Sequence, residues 1–195
     1  MKKTKIFIGA VIAIACLVCV FAFTACGSAQ ADATYWYSHK GQEVLEISQG
    51  AEMEVSRQYN LEISGDSYKL TIFHCTYNGE WITTLYNATL YGTCSVSASG
   101  AESTYTLAKP TRAIYGQGPH YVIGETMDAT YHDSADSATW PEAVEGDDAP
   151  TADTVIALGI GLMPKGDIVT GTVSTSEIVI KVNTETHKFV SVELK

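Results

Sequence analysis

Leu61-Glu62-Ile63-Ser64-Gly65-Asp66-Ser67-Tyr68-Lys69-Leu70-Thr71-Ile72 decides the fold of this chain. Leu61 and Ile63 alternate with Glu62 and Ser64, a turn sequence follows at Gly65-Asp66-Ser67, and Leu70 and Ile72 then alternate with Lys69 and Thr71. Successive side chains on a strand point to opposite faces, so a period of two makes one face apolar and the other polar. Glycine and aspartate supply the backbone freedom of a tight turn. The stretch predicts two antiparallel strands joined by a hairpin. Phe73 and Cys75 carry apolar residues onto the other parity, which predicts a bulge or burial on both faces there.

The same pattern spreads outward. Trp81 to Tyr86 and Ala88 to Val96 read as strand after Asn78-Gly79; if the strand ending at Cys75 pairs with the one holding Cys94, residues 78 to 88 are a long loop or an extra hairpin. Ser99-Gly100 turns into Ser103 to Leu107, which Pro110 ends. In the last third, Thr154 to Leu162 is apolar throughout, Pro164-Lys165-Gly166-Asp167 turns, and Ile168 to Val173 reads as strand. Ile178, Ile180 and Val182 share one face of the next strand, and Lys188 to Leu194 closes the series. Glu43 to Arg57 fits no single period and is the one place where a short helix is expected. Many short strands between turns indicate an all-β barrel or, alternatively, a β-sandwich.

Leu61-x-Ile63-x-Gly65-Asp66-Ser67-Tyr68-x-Leu70, Gly92-Thr93-Cys94-Ser95-Val96 and Thr104-Tyr105-Thr106-Leu107 resemble small bacterial lipoproteins with a lipocalin-like barrel. Ser67 stands where that family often has glycine, and Cys94 where it often has tyrosine. The resemblance covers roughly residues 61–110 and implies an antiparallel up-and-down barrel of about eight strands. It implies a fold and not a ligand.

The amino end has a character of its own. Lys2, Lys3 and Lys5 precede the apolar run Ile6 to Phe23, then Thr24-Ala25-Cys26. A basic start, an apolar centre and a small-residue cut site are the parts of a secretory signal. With a cysteine at the cut, residues 1–25 resemble a bacterial lipoprotein signal peptide whose lipobox is Thr24-Ala25-Cys26. The resemblance implies acyl chains on Cys26 and cleavage just before it. The alternative is an uncleaved signal anchor, since a spanning helix needs about 17–25 apolar residues. Both place the rest of the chain outside the cytoplasmic membrane, in the periplasm where an outer membrane exists. Two acyl chains hold stably where one holds marginally. Residues 26–34 are small and polar, a flexible tether, and residues 35–195 form one extracytoplasmic domain.

Charge and cysteines narrow the classes. The chain carries 12 Lys and Arg against 22 Asp and Glu. Loss of the three leader lysines leaves a mature charge of −13. That excludes nucleic acid as the expected partner, because phosphates need clustered cations. Cys75 and Cys94 remain once the leader is cut and Cys26 is acylated, and they sit on predicted neighbouring strands. In an oxidising exterior they are the candidate disulfide. Two separate thiols are the alternative; a redox pair would want Cys-x-x-Cys, which occurs only as Cys16-x-x-Cys19 within the leader.

Catalytic and metal motifs are sparse. His39, His74, His120, His132 and His187 show no zinc spacing. The acidic run from Glu142 to Asp153 lacks a calcium ladder and reads as a solvated loop. No nucleophile elbow or phosphate loop is present, so no catalytic residue, metal or cofactor is expected. Trp36, Trp81 and Tyr91 are the candidate ligand-binding aromatics, although strand aromatics more often pack the core. The expected function is a membrane-anchored, non-catalytic lipoprotein that binds a small apolar or amphipathic molecule in its barrel. The alternatives are a surface module that meets a protein or glycan through its loops, and a hydrolase with dispersed residues.

Overall fold

The hairpin at Gly65 is present in the computed structural model, and Gly65 takes the left-handed backbone (φ +58°) that a glycine adopts without steric cost. The structure describes residues 32–44, 52–78, 81–118, 121–122, 130–172 and 176–195. Among the described residues, eleven strands run in chain order: β1 (Ala33–Val44), β2 (Glu52–Ser64), β3 (Ser67–Asn78), β4 (Trp81–Ser99), β5 (Glu102–Ala108), β6 (Arg112–Gly118), β7 (Tyr121–Val122), β8 (Thr130–Asp133), β9 (Val169–Gly171), β10 (Glu177–Asn183) and β11 (Lys188–Leu194). Among the described residues, a turn of 3-10 helix covers Ser137–Thr139 and an α-helix, α1, covers Ala152–Gly161.

Seven strands close a barrel in the order β3-β2-β1-β11-β10-β5-β4, with β4 returning to β3. The all-β barrel expectation is met and the sandwich is not what forms. Two details differ from an up-and-down barrel of eight: the ring has seven strands, and β1 meets β11 in parallel. That seam is short, with one registered pair at Trp36 and Lys188. β10 occupies the other edge of β11 throughout, so β9 takes the edge that β1 leaves, pairing Val169 to Val192 and Gly171 to Leu194. Gly171 is required there. Its φ is +87°, and a Cβ would come 2.0 Å from the Leu194 carbonyl oxygen.

The long β4 divides the molecule. Its first half pairs with β6, from Leu85–Gly118 to Tyr91–Arg112, and its second half with β5, from Cys94–Leu107 to Ser99–Glu102. The barrel is therefore closed at the end where β5 sits. At the other end β1–β4 continue as an open half-barrel extended by β6 and β8. α1 lies on the inner face of this extension: a Cβ on Gly159 would meet Leu90 Cδ2 at 3.0 Å and Ala88 Cβ at 3.3 Å. Leu61, Leu70, Leu107, Ile180 and Val192 from the ring and Val155, Ile160 and Met163 around α1 are fully buried in one cluster. Fully burying each such side chain contributes about 1.5–3 kcal/mol.

Two local expectations change, and two open alternatives are decided. Thr154 to Leu162 forms most of α1 instead of a strand, while Glu43–Val44 and Glu52–Arg57 are strand instead of helix. β3 and β4 pair as a hairpin from Asn78 and Trp81 onward, with β4 running unbroken from Trp81 through Ala88. Phe73 and Cys75 are covered on the outer face with Leu85 and Tyr77, so the second face is buried there, and the bulge falls at Thr76/Tyr77.

Cys75 and Cys94 do not form a disulfide. Cys75 stands opposite Leu85, and Cys94 lies nine positions further along β4, opposite Leu107. Nine strand residues span about 30 Å, whereas bridged cysteines need Cα atoms within about 7 Å. Cys75 belongs to the outer cluster and Cys94 packs against the main core beside Tyr68.

Candidate functional site

On β1, β2 and β3 the inward parity is apolar until it reaches the half-barrel. The inward series are Tyr35-x-Tyr37-x-His39 on β1, Ile63-x-Leu61-x-Tyr59-x-Arg57 on β2 read backwards, and Tyr68-x-Leu70-x-Ile72-x-His74 on β3. The register then sets the three polar residues in one row: His39 opposite Arg57, Arg57 opposite His74, and His74 opposite Tyr86 of β4. Directly opposed residues have Cβ atoms about 4.5–5.5 Å apart. Three side chains distant in sequence thus converge.

Arg57 is 8% exposed and forks onto Glu43, with Nη1 donating to Oε1 at 2.6 Å and Nη2 to Oε2 at 2.5 Å. His39, one helical-turn spacing before Glu43 in sequence but on the same strand, puts Nε2 3.2 Å from Glu43 Oε1. Its Nδ1 lies 3.6 Å from Asp167 Oδ2, on the turn that leads into β9. The turn therefore reaches across the space that the short β1–β11 seam leaves open. The Arg57 hydrogen bonds hold the Glu43 carboxyl below its ordinary range, against the opposing effect of burial. Burial pushes His74 down from 6.5 to about 4, and the Arg57 charge acts in the same direction. His74 is neutral at physiological pH. Burial raises Tyr59, in the next row down, to about 12.

Among the described residues, three buried side-chain nitrogens have no hydrogen-bond partner: His39 Nε2, Arg57 Nε and His74 Nε2. The 3.2 Å approach of His39 Nε2 to Glu43 is close enough for an ion pair but is not aligned as a hydrogen bond. Buried polar groups are nearly always paired, and an unpaired one costs about 1–3 kcal/mol. All three fall in this single row. At its far end Tyr86 stacks on Tyr115 at 6.1 Å, and Tyr115 lines an open, mainly apolar recess of about 590 Å³ with Ala157, Leu158, Gly161 and Leu162 of the α1 region. The row's unpaired nitrogens and the apolar recess are thus linked through the Tyr86–Tyr115 stack.

The residues expected from sequence lie elsewhere. Trp36 is 44% exposed on the outer wall, with Lys188 Nζ 4.8 Å above its ring. Tyr91 faces out under the Arg112 guanidinium and lines a cleft of about 640 Å³ with Lys69, Tyr68 and His187. The backbone of Trp81 opens β4, and its side chain is outside the described residues, as are Cys26 and His120. Trp36 and Tyr91 do not converge: β2 and β3 stand between them. His132 serves the fold, its Nδ1 bonded to the Thr139 carbonyl and its ring stacked on Tyr115. Arg112 Nε and Nη2 fork onto the two Asp133 carboxylate oxygens and hold that carboxyl below its ordinary range.

No group of three His, Cys, Asp or Glu among the described residues is arranged to hold a metal ion. No described helix is long and apolar enough to cross a membrane. Comparison with protein-family models, curated proteins and solved structures finds no match.

Proposed function

We propose that the protein is a lipoprotein anchored through acyl chains on Cys26, whose extracytoplasmic barrel binds one small amphipathic molecule without transforming it. The row His39–Arg57–His74 carries this reading: three buried nitrogens await partners in one place, and ligand pockets combine a few convergent polar groups with an apolar wall. The closed end is filled by side chains, so the ligand lodges in the half-barrel, its polar head at the row and its apolar part toward Tyr115 and α1. Native mass spectrometry of the Ala31–Lys195 unit, a compact body in its own right, incubated with an envelope lipid extract tests it. A discrete bound mass that Arg57→Met abolishes supports the reading; a clean unliganded mass in both proteins counts against it. The anchor has its own test, since Cys26→Ala is expected to move the protein from the membrane to the soluble fraction.

A second reading has its own observation. On the outer wall, Trp36, Ser38, Gln58, Asn60, Thr71 and Phe73 line a trough of about 450 Å³ without a single charged lining residue. In a strongly acidic chain, an uncharged patch of aromatic, amide and hydroxyl groups suits a neutral glycan. Trp36→Ala would weaken retention on immobilised cell-wall glycan if this wall is used, and leave it unchanged if it is not.

A further inference from the structure

The charges around the row select the head group. The described groups that face it are Glu43 and His39 from β1, Arg57 and Tyr59 from β2, His74 from β3, Tyr86 from β4 and Asp167 from the turn before β9. One permanent cation, Arg57, is already forked onto one carboxylate, and Asp167 adds a second carboxylate through His39. A carboxylate or phosphate head would bring a third negative group against that single guanidinium. Charge repulsion of this kind is strongest where water is excluded. The mature chain, at −13, repels anions at longer range as well.

The unpaired atoms nevertheless want oxygen. Arg57 Nε is a donor and never an acceptor. His74 Nε2, on a neutral ring, is a donor in one tautomer and an acceptor in the other. A group with both an acceptor oxygen and an O–H or N–H satisfies the row in either case. Resting on the proposed lodging of an amphipathic molecule in the half-barrel, we infer that its head is uncharged and oxygen-bearing, as an amide or a polyol ester is, and not a carboxylate, phosphate or sulfate.

Three probes with the same alkyl length test this: decanamide, monodecanoin and decyl sulfate, each titrated calorimetrically into the Ala31–Lys195 unit at submicellar concentration. The sulfate stays ionised throughout, so pH acts only on the protein. The uncharged probes are expected to bind at least about tenfold more tightly than decyl sulfate, a difference of roughly 1.4 kcal/mol. Their affinities should be the same at about pH 5 and about pH 8, either side of an ordinary histidine. Tighter binding of decyl sulfate, growing toward the lower pH, would overturn the neutral-head inference while leaving the half-barrel as the site. Failure of all three probes to bind would sink the lodging itself and the inference with it. The comparison needs no variant, so it does not depend on a mutant that folds. As a check on location, Arg57→Met should remove decanamide binding while the far-ultraviolet circular dichroism stays unchanged.

Discussion

Along β1, β2 and β3 one inward parity builds two interiors. Toward the closed end it supplies Tyr35, Leu61, Ile63, Leu70 and Ile72, and where a polar atom is buried it is matched, as in the 3.1 Å bond between Tyr35 and Tyr105 hydroxyls. Toward the open end it supplies His39, Arg57 and His74, with a nitrogen of each unmatched. The strands, their pleat and their pairing are common to both, so backbone geometry does not account for the difference. It lies in what the inward positions were given, and the end that breaks the local rule is the end where a site is expected.

The two ends should respond oppositely to substitution. Leu70→Ala, at a fully buried position in the closed barrel, should cost about 2–5 kcal/mol through lost burial and an unfilled cavity. Urea unfolding measures it, and a loss below about 1 kcal/mol would mean this end is looser than its burial indicates. In the open half, Glu43→Gln strands the Arg57 guanidinium and should cost about 2–3 kcal/mol, less than a fully buried pair because Glu43 keeps some contact with solvent. Replacing both partners, Arg57→Met with Glu43→Met, removes the charge and the orphan together. That double variant should be as stable as the parent or gain about 1–4 kcal/mol, and it should no longer take ligand. Were the double variant as damaged as Glu43→Gln, the row would be a structural element and the contrast between the ends would collapse.

Acid should find the open half first. His74 has a folded pKa of about 4 against an ordinary 6.5. Between those values the unfolded chain takes up a proton that the folded protein refuses. Stability from this group is complete above about pH 6.5 and falls as the pH drops toward 4. Glu43, held low by Arg57, adds a loss at still lower pH as it is protonated in the fold. His74→Gln should flatten the fall between pH 6.5 and 4 in a series of urea midpoints. An unchanged slope in the variant would place the acid sensitivity elsewhere.

Parity made the closed end legible. Ile178, Ile180 and Val182 are buried on one face as their alternation predicts, and Leu61 and Leu70 pair across the hairpin read from their spacing. The site carried a quieter signal, a charged or titratable residue in phase with an apolar series on three separate strands. Seeing it required the register, because only pairing brings Arg57 between His39 and His74. α1 escaped for a different reason. Its buried residues Val155, Ile156, Gly159 and Ile160 follow a helical spacing, but Ala157 and Leu158 fill the opposite face, so no polar stripe marks the period. The end signals were present in the sequence: Pro150, then Thr151 three residues before Thr154, with Asp153 in the first turn.

That cap supplies the smallest test and joins the two halves. Thr151 Oγ1 accepts from the Thr154 amide at 3.3 Å, and Thr154 Oγ1 accepts from the Thr151 amide at 2.9 Å. The pair fixes the first turn of α1, whose inner face packs on Ala88 and Leu90 and whose outer face lines the recess beside Tyr115. Thr151→Ala should cost about 1 kcal/mol by losing the cap. The row would be untouched, since none of its members contacts Thr151. If the recess holds the apolar part of the ligand, this variant should weaken long-chain amides more than short ones, because only the former reach α1. Equal weakening along a chain-length series would instead separate the recess from the row and confine the site to the inner face of β1–β3.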